Sequence, residues 1–387
     1  MTRAMVLAAV ACLISQAPAT WRNGPPLGAR SFPIAVWLQD PANAERYKQA
    51  GINLYVGLWQ GPTEAQLSRL KAAGMPVICD QNAVGLAHKD DPTIVGWMHQ
   101  DEPDNAQAVT DASGRQGWGP CVPPSKVVED YERLRKADPT RPILLNLGQG
   151  VINEKWVGRG SGARLSDYET YVQGADIVSF DVYPIAGLDR PSPTDLMWFV
   201  GAGTERLVKW TGGRKIVWNC LECTRISNGE RKATPEQVRA QAWMAVIHGS
   251  RGFIYFVHEF KPQFNEHALL DDPEMLAGVT RLNREVTELA PVINSEPLKL
   301  GIACRGQTPA DLGAPAPVAA MARRSGRVTY VFAVGMRNGP ARASFAPARA
   351  RSDATAEVIG EDRTIPLTDG RFEDAFKPYE VHLYRIR

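Results

Sequence analysis

Hydrophobic and polar positions along the chain fall into two rhythms. Over residues 30–292, short apolar runs alternate with stretches of helical period. The runs are Phe32–Gln39, Ile52–Trp59, Met75–Gln81, the front of Thr93–Asp104, Pro142–Gln149, Asp176–Tyr183, Lys215–Cys223 and Gly252–Phe260. They are continuous rather than strictly alternating, which predicts strands buried on both faces, as in a parallel sheet. Between them lie helix-start signals. Asp40-Pro41 and Asp272-Pro273 pair an N-cap with a first-turn proline, and Thr63-x-x-Gln66 and Thr234-x-x-Gln237 are capping boxes. Gly74 closes the helix that follows Thr63, and the helix after the third strand is expected to be small or missing. Eight strands alternating with helices predict the α/β class and a (β/α)8 TIM barrel. A doubly wound sheet would show a Gly-rich turn after the first strand, where the sequence has LQDPAN. Over residues 297–387 the pattern changes to short alternating strands, which predict a small all-β sandwich domain.

A parallel barrel places its chemistry at the C-terminal ends of its strands. Thr93–Asp104, TIVGWMHQDEPD, reads as a buried strand stopped by Pro103, with Glu102 at its tip. Other strand ends also carry polar or aromatic residues. They include Trp37, Trp59, Asp80, Asp101, Asn146, Asp181, Tyr183, Asn219, Glu222, His258 and Glu259. Buried strands that end this way point hydrogen-bonding groups and flat rings into one mouth, a lining suited to a sugar. Breaking a glycosidic bond needs one protonated and one ionised carboxyl. Glu102 and Glu222 end the fourth and seventh predicted strands, facing each other across the mouth. We assign Glu102 as acid/base and Glu222 as nucleophile, with retention of configuration and a carboxyl separation of about 5–5.5 Å. Glu259 competes for the nucleophile's place. Trp118, on the long Gly- and Pro-rich loop after the fourth strand, is the lid candidate.

Glutamates ending strands four and seven resemble those of the retaining glycoside hydrolases of clan A, which include β-galactosidases, β-glucosidases, mannanases and cellulases. The resemblance implies acid/base for Glu102 and nucleophile for Glu222. Tyr183 resembles the tyrosine that often hydrogen-bonds that nucleophile. The trailing β domain, ending PYEVHLYRI, is similar to the accessory domain many members carry. The clan usually has Asn before the acid/base glutamate, contacting the sugar 2-hydroxyl, where this chain has Asp101.

Charge and composition narrow the partners. The formal net charge is +2 with no basic run, so neither nucleic acid nor an anionic membrane is expected. Ten Trp and ten Tyr supply surfaces that stack on sugar rings. Residues 1–19 read as an export signal: Arg3, an apolar Met5–Ile14 too short to span a bilayer, and Ala17-Pro18-Ala19 for cleavage. The product is expected to be secreted or periplasmic, which permits disulfides among Cys79, Cys121, Cys220, Cys223 and Cys304. The single C-x-x-C, Cys220 to Cys223, lies in an apolar strand and lacks a second pair, so no metal or cofactor is expected. Lys215 begins its strand, on the wrong face for a Schiff base. His99 fits a satisfied core histidine, and Asp101 an ion-pair partner of Arg or Lys. The competing function is a non-catalytic barrel that binds carbohydrate without hydrolysing it.

Overall fold

The computed structural model describes residues 21–25, 28–153, 164–187, 196–306 and 316–387; the expected export signal lies outside them. Eight parallel strands close a barrel. They are β1 (Ile34–Trp37), β2 (Leu54–Val56), β3 (Val77–Asp80), β4 (Ile94–Met98), β5 (Ile143–Leu147), β6 (Ile177–Phe180), β7 (Ile216–Val217 and Asn219–Glu222) and β8 (Phe253–Phe256). Each pairs with the next, and β8 pairs with β1, Ile34 opposite Phe253. The seventh strand is broken at Trp218: its first part pairs with β6 and its second with β8.

Two apolar layers explain why the runs were continuous. Ala35, Trp37, Leu54, Val56, Ile78, Met98, Leu144, Ile177, Trp218, Cys220 and Ile254 fill the barrel interior. Ile34, Val36, Tyr55, Val77, Trp97, Leu145, Val178, Leu221 and Tyr255 face the helices. The helices are α1 (Ala44–Gln49), α2 (Glu64–Ala73), α3 (Ala83–Ala87), α4 (Pro124–Ala137), α5 (Tyr168–Tyr171), α6 (Phe199–Trp210), α7 (Pro235–Ile247) and α8 (Pro273–Ile293). Both predicted capping boxes form, at Thr63–Gln66 and Thr234–Gln237. Asp40 and Asp272 accept the backbone N–H groups they were expected to cap. Gly74 ends α2 at φ 60°, a left-handed turn that a Cβ would strain. The short α3 matches the short connection.

The C-terminal region forms an antiparallel six-stranded sheet and a three-stranded one. Their shared core holds Val331, Phe345, Phe372, Phe376 and Tyr384. The outer face of the larger sheet lies on α7 and α8, with Phe332 against Trp243 at 4.9 Å between ring centroids. Glu285 of α8 accepts from Trp243 Nε1 at 2.7 Å and pairs with Arg239, whose guanidinium also donates to the Val381 carbonyl. The β domain is therefore welded to the barrel wall behind β7 and β8.

Candidate active site

The fourth strand delivers a run of carboxylates to the mouth. Glu102 leaves the strand at φ 44°, a left-handed conformation unusual for glutamate. Three hydrogen bonds hold it there. Its N–H donates to the Asn146 carbonyl at 3.1 Å, and its own carbonyl accepts from Asn105 N–H and Gln107 Nε2, both at 3.1 Å. Strain held so firmly aims the side chain, and such outliers gather at functional sites. The half-buried Glu102 carboxyl is hydrogen-bonded to Asp181 of the β6 end. Burial, followed by the charge and hydrogen bond of Glu102, pushes Asp181 well above the carboxylate range. Its Oδ1 is buried and accepts no hydrogen bond from the described residues.

Asp101 stands beside them. Its Oδ1 accepts from Asn146 Nδ2 at 2.9 Å, and Asn146 Oδ1 accepts from Ser179 Oγ at 2.8 Å and from the Cys220 thiol. It is an amide partner, not the Arg or Lys partner considered from sequence, that holds Asp101. Protein crowds the carboxyl on most sides, while the mouth leaves it open to water. Desolvation, then the Glu102 charge, push it up to about 7. Tyr183 points into the same cluster: burial and then the charges of Asp181, Cys220, Glu102 and Asp101 raise its hydroxyl. Asp104 has a different task. It is buried, with Oδ1 on Gly148 N–H at 2.9 Å and Oδ2 on Tyr168 Oη at 2.8 Å, and burial pushes it up to about 6.

Glu222 is 0% exposed. Ile185 and Ala186 donate their backbone N–H groups to it at 3.0 and 2.6 Å, and Gln241 Nε2 of α7 donates at 2.9 Å. Desolvation still pushes it up to about 7. In this conformation it anchors the loop after β6 to α7, and no atom of it meets solvent. The described partners of Glu222 are thus Ile185, Ala186 and Gln241, while Glu102 has Asp181 as its carboxyl neighbour. Asn219 also turns away from the mouth, since it is buried and accepts from Thr204 Oγ1 of α6.

The remaining candidates divide by depth. Trp37 is buried under the mouth, and Asp80 is exposed at the β3 end, its carboxyl raised by partial burial. His258 is buried against Gln39 Nε2, and Glu259 is held by Arg225 at 3.3 Å. Trp59 is 68% exposed on the loop after β2. Trp118 is 57% exposed on a hairpin of Ala108–Thr110 and Gln116–Trp118, inside the segment expected to be a lid. His99 is a satisfied core residue, its Nε2 on the Gly174 carbonyl at 2.7 Å. Cys79, Cys121, Cys220, Cys223 and Cys304 are free thiols.

Sequence reasoning missed Ser179, Cys220, Asp104 and Gln241 as parts of these networks. Ser179 lies two residues before Asp181, the spacing that puts both on one strand face. Asp104 closes the D-E-P-D run. Phe260 and Phe264 were missed as well: with His258 they form a ring stack, Phe264 lying parallel to the imidazole at 6.0 Å and 63% exposed.

No protein-family model matches the sequence, and a search of curated proteins found no match. Solved structures do match. An α-amylase from Geobacillus thermoleovorans, solved with acarbose, is 12% identical with a TM-score of 0.53, covering 95% of this chain and 99% of that one. A catalytic mutant of a GH42 β-galactosidase from G. stearothermophilus is 9% identical with a TM-score of 0.55, covering 92% and 98%. An Anoxybacillus α-amylase is 10% identical with a TM-score of 0.53, covering 93% and 98%. The likeness is one of fold, and it runs through the barrel and the β domain together: this chain has an architecture found in glycoside hydrolases.

Proposed function

We propose that the protein is a glycoside hydrolase acting on a poly- or oligosaccharide with retention of configuration, and that Glu102 is its acid/base. One observation carries this: a strained glutamate at the β4 tip, opening on the mouth, stands beside a second carboxyl, Asp181, that burial and its charge push well above the carboxylate range. An acid that must protonate a glycosidic oxygen near neutral pH needs a site that holds its proton, and neighbouring carboxyls do this. The fold shared with known glycosidases supports the reading. Amides, carboxylates and exposed rings around the same mouth match the hydroxyls and apolar faces of a sugar.

The test is a panel of aryl glycosides and polysaccharides, with the anomer of the first product followed by NMR. Glu102→Gln is expected to lower kcat at least about 10³-fold, near the upper range of general acid–base catalysis, while sugar binding persists. Binding without hydrolysis by the wild type would instead support a carbohydrate-binding barrel. We propose that residues 1–19 are an export signal that carries the activity outside the cytoplasm; N-terminal sequencing of secreted protein is expected to begin at Thr20.

A further inference from the structure

The loop after β8 shows solvent two neighbouring apolar rings. Phe260 and Phe264 are 48% and 63% exposed, with 5.6 Å between their centroids. Apolar side chains exposed singly are ordinary, whereas adjoining ones mark a binding surface. Phe264 also lies parallel to the His258 imidazole at 6.0 Å, with 16° between the planes. The stack continues inward. His258 meets Phe256 at 5.1 Å, and Phe256 meets Tyr183 of the β6 end at 5.2 Å. Phe256 is the register partner of Glu222 across β7 and β8. Cys220 and Ile254, two residues earlier on each strand, fill the barrel interior, and strand alternation puts Phe256 on the same inward face. A row of rings thus leads from the mouth, beside the end of β7, out to the rim.

The row is held from below and from the side. The Gln39 amide nitrogen donates to His258 Nε2 at 3.2 Å and to the Glu266 carbonyl at 2.7 Å. An amide nitrogen only donates, so Nε2 accepts and the imidazole is neutral. Glu259 and Asn265 exchange backbone hydrogen bonds at 2.9 and 2.8 Å, and Phe260 N–H donates to the Ile226 carbonyl at 2.7 Å. Thr224 Oγ1 donates to the His258 carbonyl at 2.7 Å. The loop after β7 therefore fixes the loop after β8, and little ordering is left to do when a ligand arrives.

What covers such a surface must be flat, apolar on one face and joined to whatever occupies the mouth. A pyranose unit of the substrate chain meets all three conditions: the C–H face of its ring stacks on an aromatic face while its hydroxyls point outward. Lys261 and Gln263, exposed between the two Phe in the chain, put polar groups on the same loop for those hydroxyls. Phe carries no donor or acceptor of its own, so the platform reads a sugar ring and not its hydroxyl pattern. We propose that Phe260 and Phe264 are a stacking platform for a second sugar unit, next to the one held at Glu102, and that binding therefore strengthens with chain length. This rests on the glycosidase reading above.

The test uses the full-length protein on β-1,4-linked gluco-, xylo- and manno-oligosaccharides of two to six units. The matching glycosyl fluorides serve as short substrates whose leaving group has no ring to stack. In the wild type kcat/KM is expected to rise from two units to six. Phe264→Ala is expected to lower kcat/KM on the longest chain cleaved by about 10-fold, carried by KM, with a smaller loss on the fluoride. Phe264→Trp, which keeps a flat face, is expected to restore most of it. A variant that merely disturbs the loop loses activity on chains and fluoride alike. Equal losses on both, no loss on either, or a kcat/KM that does not rise with length overturns the platform and leaves the hydrolase intact. No turnover of these substrates or of any aryl glycoside overturns the glycosidase reading and the platform with it.

Discussion

A glutamate follows β4 and another ends β7 of one barrel, and the two live in opposite surroundings. Glu102 is strained, half-buried and set beside the raised Asp181 carboxyl. Glu222 is relaxed into a nest of two backbone N–H groups and an amide, with no exposed surface. A strand end fixes where a carboxylate begins, but its partners fix what it does. Where they are other carboxyls, a proton is trapped and chemistry follows. Where they are fixed donors with no other acceptor to satisfy, the carboxylate becomes a rivet. The β4 run contains both kinds: Asp104, two residues after Glu102, is a rivet between Gly148 and Tyr168.

The sharpest way to break this contrast is to remove the second carboxyl at β4. In the wild type, ionising Asp181 leaves two adjacent negative charges, which delays the loss of its proton to higher pH. Asp181→Asn leaves a single charge after deprotonation, so the proton leaves sooner. The expected outcome is a fall in kcat of about 10²-fold or more, with the basic limb of the kcat/KM profile moved toward lower pH. A basic limb that stays in place would mean that the pair does not hold the working proton.

Glu222→Gln is the matching change at β7, and its effect is expected in stability. Glu222 is pushed from an ordinary 4.5 up to about 7 by burial. The folded chain therefore keeps that proton to higher pH than the unfolded chain does. Stability from this group is complete below about 4.5 and declines as pH rises to about 7, a loss of about 3 kcal/mol at 1.36 kcal/mol per pH unit. The variant lacks that decline, so the wild type's advantage in Tm is expected to be largest near pH 5 and to shrink toward pH 8. If turnover vanishes instead while Tm hardly moves, β7 is a catalytic wall and the contrast collapses.

Most of the barrel was legible because its signals are local. Apolar runs mark doubly buried strands, and Thr63, Thr234, Asp40 and Asp272 mark helix starts through bonds spanning three residues or fewer. The β domain was only half legible. Val318–Ser325 and Ala341–Pro347 are strands rich in Ala and Arg, whose side chains carry little β signal. The partners of Glu222 were not legible at all. Its donors come from residues 185, 186 and 241, and the strand that carries it is interrupted at Trp218.

The finest test lies within the β4 run, at Asp104. Tyr168→Phe removes the hydroxyl donated to Asp104 Oδ2 and leaves the Gly148 N–H bonds in place. Burial already pushes Asp104 up to about 6, and the Tyr168 hydroxyl is one of the contacts holding it down. Without that donor the folded-state value rises further, while the unfolded value stays near 3.8. Below the unfolded value Asp104 is protonated in both states, and the variant loses only an ordinary hydrogen bond, about 1 kcal/mol. As pH rises past 6 the unfolded chain ionises freely while the folded carboxylate lacks a charge-assisted donor, and the cost is expected to reach about 2 kcal/mol. Denaturant midpoints at pH 4.0 and pH 7.5 measure the difference. A cost that grows with pH while kcat stays near that of the wild type marks Asp104 as a rivet like Glu222; a flat cost with a collapsed kcat would place Asp104 in the chemistry of the mouth.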